Sequence, residues 1–278
     1  MPHGRRVSYS IQHVPDRNHT MQRLIFTAVM TCVSRVLILR ERLSGRIQKA
    51  SEESLSRCVT ARYRIPSGRN TLDALFVQPA ERQVKAAVLI CHGIGETVDH
   101  WHAVQLLLAE NAVASLVFDY SGYGRSTGWI DANQCESDTM AAFEFLKEQM
   151  PSEPISLLGF SLGSGIAAAT AARVTPHCLV LCASFTSFRS AICSIGMLKH
   201  LAFLMPAIWN TEEALSRCTV PVLIMHGEND ELFHPRMARE LAAACRSSCE
   251  VIIAPAVTHN APIYQPQLSY WSAILARL

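Results

Sequence analysis

A serine hydroxyl becomes a nucleophile only when a base takes its proton and a carboxylate fixes the tautomer of that base. The chain holds two serines in a Gly-x-Ser-x-Gly frame, Ser161 between Gly159 and Gly163 and Ser126 between Gly124 and Gly128. Their surroundings separate them. Ser161 follows the apolar run Ile155, Ser156, Leu157, Leu158 and precedes a stretch rich in alanine, Ala167, Ala168, Ala169, Ala171 and Ala172. That reads as a buried strand, a sharp turn and a helix, the arrangement called a nucleophile elbow. A backbone that doubles back so abruptly needs neighbours almost without side chains, which Gly159 and Gly163 supply. The helix N-terminus also directs partial positive charge at the serine. Ser126 is parted from the strand-like 115–118 by Asp119, Tyr120, Ser121, Gly122 and Tyr123, and Trp129, Ile130 and Asp131 follow it without a helical run. It reads as part of a glycine-rich loop.

A base and an acid follow the elbow, each just after an apolar run. His259 sits in the loop Pro255, Ala256, Val257, Thr258, His259, Asn260, and Asp230 sits in His226, Gly227, Glu228, Asn229, Asp230. Glu228 and Glu231 are neighbouring carboxylates with the same chemistry, so spacing alone leaves the acid open. The order Ser161, Asp230, His259 is that of one fold, and here the chain resembles the α/β-hydrolase superfamily over roughly residues 58–278. The resemblance implies Ser161 as nucleophile, His259 as general base and acid, and Asp230, which matches a Gly-x-x-Asp counted from Gly227, as the orienting carboxylate. It also implies two backbone N–H donors for the oxyanion, one from Leu162 directly after the nucleophile. The other is Ile94, because His92, Gly93, Ile94, Gly95, Glu96 resembles the His-Gly-x-Gly-Glu of monoacylglycerol-lipase-like and lysophospholipase-like members. The run from Asp119 to Ser126 resembles the Asp-x-x-Gly-x-Gly-x-Ser loop of that group and of small depalmitoylase-like members. One position departs from the pattern: relatives commonly carry glycine three places before the histidine, where this chain has Ala256.

These side chains need strand ends to hold them. Apolar strand-like runs lie at 59–65 and 72–77, joined by a turn at 66–70, and then at 86–91, 115–118, 155–160, 179–182, 222–225 and 251–254. Helical stretches near 102–110, 132–150, the elbow helix, 236–245 and 265–278 alternate with them. The expected fold is α/β: a mostly parallel sheet with helices on both faces and functional groups at the carboxyl ends of the strands. Residues 184–217 interrupt the alternation with an apolar pair of short helices, read as a small cap; the alternative is a longer crossover helix. Residues 1–20, polar and without period, are expected to be disordered. Residues 21–57 are expected to form an apolar helix and a linker, and 58–278 the hydrolase-like domain. Residues 24–39 are apolar, interrupted by Arg35 and flanked by basic residues, and at about 16 residues are short for a spanning helix. They suit an interfacial helix on an anionic membrane, or one packed against the domain or a partner subunit. Deleting 24–39 is expected to leave chemistry on a soluble ester intact.

Composition narrows the remaining classes. With 49% hydrophobic and 17% charged residues over 278 positions and a net charge of +2, the chain suits one large domain with appendages and offers no field for nucleic acid. Ten cysteines without a Cys-x-x-Cys pair read as free thiols in a reducing compartment, hence a cytoplasmic place, peripheral at a membrane surface through 21–39. Gly122, Gly124 and Gly128 miss the dinucleotide fingerprint by one residue, and His100 and His102 are too close for a metalloprotease pair. No cofactor and no metal is implied. The expectation is a serine hydrolase that cleaves an ester or thioester of an apolar acyl chain through an acyl-enzyme, its partner a small-molecule acyl substrate. A peptidase of the proline-iminopeptidase type uses the same parts. A non-catalytic protein of this fold, binding lipid or a partner, is the reading from another class.

Overall fold

Aliphatic runs with no polar alternation suit strands covered on both faces. The computed structural model, which describes residues 17–44, 57–196 and 199–278, places them so. Strands β3 (Ala86–Cys91), β4 (Val113–Phe118), β5 (Ile155–Phe160), β6 (Leu179–Cys182) and β7 (Val222–Gly227) are buried along their whole length. β1 (Cys58–Ser67) alternates exposed and covered positions and forms a hairpin with β2 (Asn70–Pro79), while β8 (Cys249–Ala254) closes the other edge. The strand order is β1-β2-β4-β3-β5-β6-β7-β8. β2 runs antiparallel to β1 and β4; every pairing from β4 to β8 is parallel. From β3 the chain first steps to β4 and then back across to β5, so the switch point, and the crevice it leaves, lies between the carboxyl ends of β3 and β5.

Helices cover both faces. Successive residues of one strand feed opposite cores: Leu89 and Cys91 pack on one side, Val88 and Ile90 on the other. The first face carries α1 (Arg17–Ser44), α3 (Ala132–Gln149), α4 (Leu162–Val174) and α7 (Arg236–Ala244); the second carries α2 (His102–Glu110) and α9 (Leu268–Leu275). Between β6 and β7 the chain makes an excursion of two short helices, α5 (Phe188–Ser194) and α6 (Thr211–Arg217), with a 3₁₀ turn at Lys199–Leu204. The excursion leaves and returns through one stem, where the Phe188 N–H donates to the Trp209 carbonyl (3.2 Å) and the Thr211 N–H to that of Thr186 (2.9 Å).

Two expectations need correction. Residues 17–20 are not disordered but form the first turn of α1, which has 28 residues. Its segment Met21–Arg40 is long and apolar enough, by length and composition, to cross a membrane. The apolar stripe marked only the middle of a helix that continues through Met21, Gln22 and Arg23 before it and Arg40, Glu41 and Arg42 after it, residue types of good helix propensity. The last helix, α9, starts at Leu268 rather than near 265 and follows a short unexpected helix, α8 (Ala261–Tyr264); Pro266 lacks an amide donor and disfavours helical backbone at Gln265. The expectations for residues 1–16, for the linker at 45–56 and for positions 197–198 lie outside the described residues.

Candidate active site

Ser161 sits between β5 and α4 with φ +51° and ψ −119°, a conformation that L-residues rarely adopt. Its N–H donates to the Cys182 carbonyl at 3.0 Å, which ties the turn to β6. The flanking glycines are required by proximity. A Cβ on Gly159 would lie 2.4 Å from the Gly163 carbonyl oxygen, and one on Gly163 would lie 2.0 Å from that of Cys91. The elbow is therefore pressed against the end of β3.

The loop after β7 carries Asp230 and the loop after β8 carries His259. The Ser161 Oγ stands 3.0 Å from His259 Nε2, and His259 Nδ1 stands 2.8 Å from Asp230 Oδ2. A carboxylate only accepts, so Nδ1 carries the proton and Nε2 is left to accept from the serine. The imidazole packs against Phe160, tilted at 51°, and against Phe233, edge-on at 82°, both with ring centroids 5.3 Å away, and the His259 N–H donates to Glu231 Oε2 at 3.0 Å. Glu231 thus anchors the loop, and the competing Glu228 receives the Ala256 N–H. Asp230 is more heavily bonded than the sequence suggests. Its Oδ1 accepts the amides of Leu232 (2.9 Å) and Phe233 (2.8 Å), and its Oδ2 also faces Nε2 of the buried His226 at 3.3 Å. That same Nε2 bonds the Phe233 carbonyl at 2.8 Å, so it is the protonated nitrogen of His226. Burial alone would raise the Asp230 carboxyl; the bonds from His226, His259 and the backbone outweigh it and hold the group below the usual carboxylate range.

The loop after β3 faces the elbow across the switch point. Glu96 Oε2 accepts from the Gly93 N–H and from Trp101 Nε1, both at 2.8 Å, and so fixes the turn that carries Ile94. His92, lowered to about 3 by burial, is neutral and bonds the Gly93 carbonyl through Nδ1 at 2.8 Å. Asp119, pushed up to about 7 by burial, accepts the amides of Val98 (2.9 Å) and Arg125 (3.3 Å). A Cβ on Gly124 would meet its carboxylate at 1.8 Å. The second serine motif belongs to this clasp: the Ser126 hydroxyl donates to the Asp119 carbonyl at 2.6 Å and accepts the Asp73 N–H at 2.8 Å.

The family model for the alpha/beta hydrolase fold matches residues 86–212, from β3 into the excursion. The chain has the α/β-hydrolase fold. Among its relatives are an uncharacterized protein of Mycobacterium tuberculosis, 29% identical over 182 residues that cover 63% of each chain, and the lysophosphatidylserine lipase ABHD12 of Danio rerio, 25% identical over 61% of this chain and 50% of that one. The match thus spans less than two thirds of the length of these relatives. Solved structures of similar fold include the Pyrococcus furiosus esterase Pf2001 (TM-score 0.67, 18% identity, 84% of this chain and 96% of that one). Another is Est1E of Butyrivibrio proteoclasticus with bound ferulic acid (TM-score 0.63, 21% identity, 77% and 96%).

In this fold Ser161, Ile94 and Leu162 open on an apolar cavity of about 480 Å³, within the range of small-molecule sites. Phe185 and Phe233 line it from the sheet side. The excursion contributes Phe188, Ala191 and Ile195, and α1 contributes Phe26, Val29, Met30 and Val33. Ring packing ties these two walls together: Phe26 meets Phe188 at 5.4 Å and Trp209 at 5.6 Å, and Phe188 meets Trp209 at 5.6 Å. Leu37 of α1 occupies the space against Gly95 in the β3 loop, where a Cβ would stand 3.0 Å away. The Arg23 guanidinium grips the Asp131 carboxylate at 3.0 Å. α1 is therefore part of the core and a wall of the cavity, so its removal would open the site, contrary to the expectation that 24–39 is dispensable. Sequence reasoning missed α1 as lining and His226 as a partner of the acid. The apolar stripe of α1 signals contact with something apolar but not with what.

Proposed function

We propose that the protein hydrolyses carboxylic esters of apolar acyl chains through an acyl-enzyme on Ser161. The observation that carries this reading is the Ser161–His259–Asp230 chain of hydrogen bonds, 3.0 and 2.8 Å long, at the foot of an apolar cavity. Ser161 Oγ attacks the ester carbonyl while His259 Nε2 takes its proton. Asp230 holds the ring and stabilises its positive charge, and the amides of Ile94 and Leu162 receive the negative oxygen. His259 then returns the proton to the leaving alcohol; water, deprotonated by the same nitrogen, releases the acid and regenerates the serine. A thioester would follow the same path with a thiol leaving.

The ester reading draws support from relatives named as lipase and esterase. An aminopeptidase would need a carboxylate for the substrate ammonium, and among the described residues the cavity lining has no charged side chain. The reading includes a cytoplasmic place at a membrane surface, supported by ten unpaired cysteines and by the exposed apolar side of α1. The test is turnover of p-nitrophenyl esters from acetate to palmitate, together with labelling by a serine-directed phosphonate. Ser161→Ala is expected to lower kcat by roughly 10³-fold or more and to abolish labelling. Ser126→Ala is expected to keep both. If the wild type turns over none of these esters and resists the phosphonate, the proposal fails.

A further inference from the structure

A helix that is apolar around its whole circumference is normally enclosed, yet among the described residues only one side of α1 is covered. Phe26, Met30 and Ser34 are buried against the domain, while Leu24, Val36 and Leu39 point away from it, Leu24 being 67% exposed. The apolar surface continues onto a second element. Gln22 Nε2 donates to the Phe203 carbonyl at 3.1 Å, which sets the N-terminal part of α1 beside the 3₁₀ turn of the excursion, where Phe203 is 63% exposed and Leu204 is exposed as well. Ile195, Val29 and Val33 are exposed too, and all three line the cavity. The cavity therefore opens within an apolar surface built from two separate parts of the chain.

We propose that this surface seats on a lipid bilayer with α1 lying in the plane of the interface, so that the cavity mouth faces the lipid and acyl chains enter from it. The proposal rests on the acyl-ester reading and names the source of the substrate. Length and composition would let Met21–Arg40 cross a membrane, but Phe26 and Met30 belong to the main core and Leu37 packs on Gly95, so a crossing helix would have to take the domain into the bilayer or abandon those contacts. Charge agrees with the interface: from Met21 to Arg40 there is no acidic residue, and Arg35 lies on the exposed side. A long arginine side chain there keeps its stem in the apolar layer and its head at the lipid phosphates. A second copy of the chain on this face would cover the mouth with protein and shut out the substrate.

The experiment uses the full chain with phosphatidylcholine vesicles, with and without phosphatidylserine, and compares wild type with Leu24→Asp/Val36→Asp and, separately, Phe203→Asp. None of the three positions lines the cavity, so turnover of p-nitrophenyl butyrate in free solution is expected to be unchanged and reports that each variant is folded. Wild type is expected to sediment with the vesicles, more strongly with phosphatidylserine. Each variant is expected to lose about tenfold or more of that binding, and with it turnover of a long-chain ester carried in the vesicles. Several results would overturn the proposal: no sedimentation of wild type, variants that sediment as wild type does, a wild-type dimer that the variants dissociate, or wild type that resists alkaline carbonate extraction from membranes as a spanning protein does. Vesicle binding lost in the variants, but with no ester cleaved in solution by wild type, would sustain the docking surface and sink the ester reading.

Discussion

The two sides of the cavity are held in different ways. On the sheet side, backbone fixes the groups: Ser161 is clamped by close approaches at Gly159 and Gly163, and Asp230 by two amides and two histidines. On the roof, α1 and the excursion between β6 and β7 meet mainly through rings, Phe26, Phe188 and Trp209, with a bond from Gln22 Nε2 to the Phe203 carbonyl at 3.1 Å. Proton transfer needs atoms held to a fraction of an ångström, whereas an acyl chain needs only apolar space of the right size. Under the proposed acyl-enzyme reaction, the sheet side therefore sets whether the reaction occurs, and the roof sets what fits.

The sharpest way to break this contrast is to remove a sheet-side group without touching the cavity. Asp230→Asn is expected to lower kcat on p-nitrophenyl acetate by on the order of 10³ to 10⁴, since an amide supports the wrong tautomer of His259. It should also change stability in a pH-dependent way. The Asp230 carboxyl is held lower in the folded chain than in the unfolded one, so its stabilising contribution is present above the unfolded value, 3.8, and is lost as pH falls through the folded one. The gap in melting temperature between wild type and variant should be widest above about pH 4 and narrow below it.

On the roof, Phe26→Ala is expected to cost about 3 kcal/mol of stability, read by urea unfolding. It should move the preferred ester to a longer chain while acetate turnover per folded molecule stays close to wild type. A loss of acetate turnover as large as that of Asp230→Asn would erase the distinction between the two sides. Ala191→Phe tests the same wall in the opposite sense. Ala191 lines the cavity, and the added ring should raise KM for palmitate by roughly tenfold, with little effect on acetate. The smallest effect belongs to the loop of His259. Ala256 has φ +58°, in the region where glycine is free and alanine is strained, so Ala256→Gly should stabilise the protein by about 1 kcal/mol with kcat unchanged. A destabilisation would mean that the freedom glycine gains in the unfolded chain outweighs the strain removed.

Ala256 shows how far a sequence reading reaches. The departure from a glycine usual in relatives was visible as a difference in residue type, but its meaning, a left-handed backbone three places before His259, required φ. Ser126 and Ser161 share a motif, and the strand before and helix after Ser161 were enough to separate them. The distance between the Ser126 hydroxyl and its partners on Asp119 and Asp73 was not readable, because those contacts close through β2 pairing with β4. His226 was in view as a letter of the Asp230 motif. Its bond to the carboxylate depends on the turn at Phe233, whose carbonyl takes the same proton.

The sequence by itself determined the parallel α/β layout, the elbow at Ser161 and the order in which Asp230 and His259 follow strands. Each of these is written locally, in an apolar run ended by a glycine or polar turn, and a strand end needs no knowledge of distant residues to be recognised. Only the tertiary structure decided that α1 is a wall of the cavity, which of its apolar sides faces inward, and that Glu231 anchors a loop while Asp230 meets the histidine. Those outcomes depend on contacts between residues far apart in the chain, Phe26 with Phe188 and Trp209, Leu37 against Gly95 and His259 with Phe160 and Phe233. A helix apolar on every side carries no signal of its own for which face will be chosen.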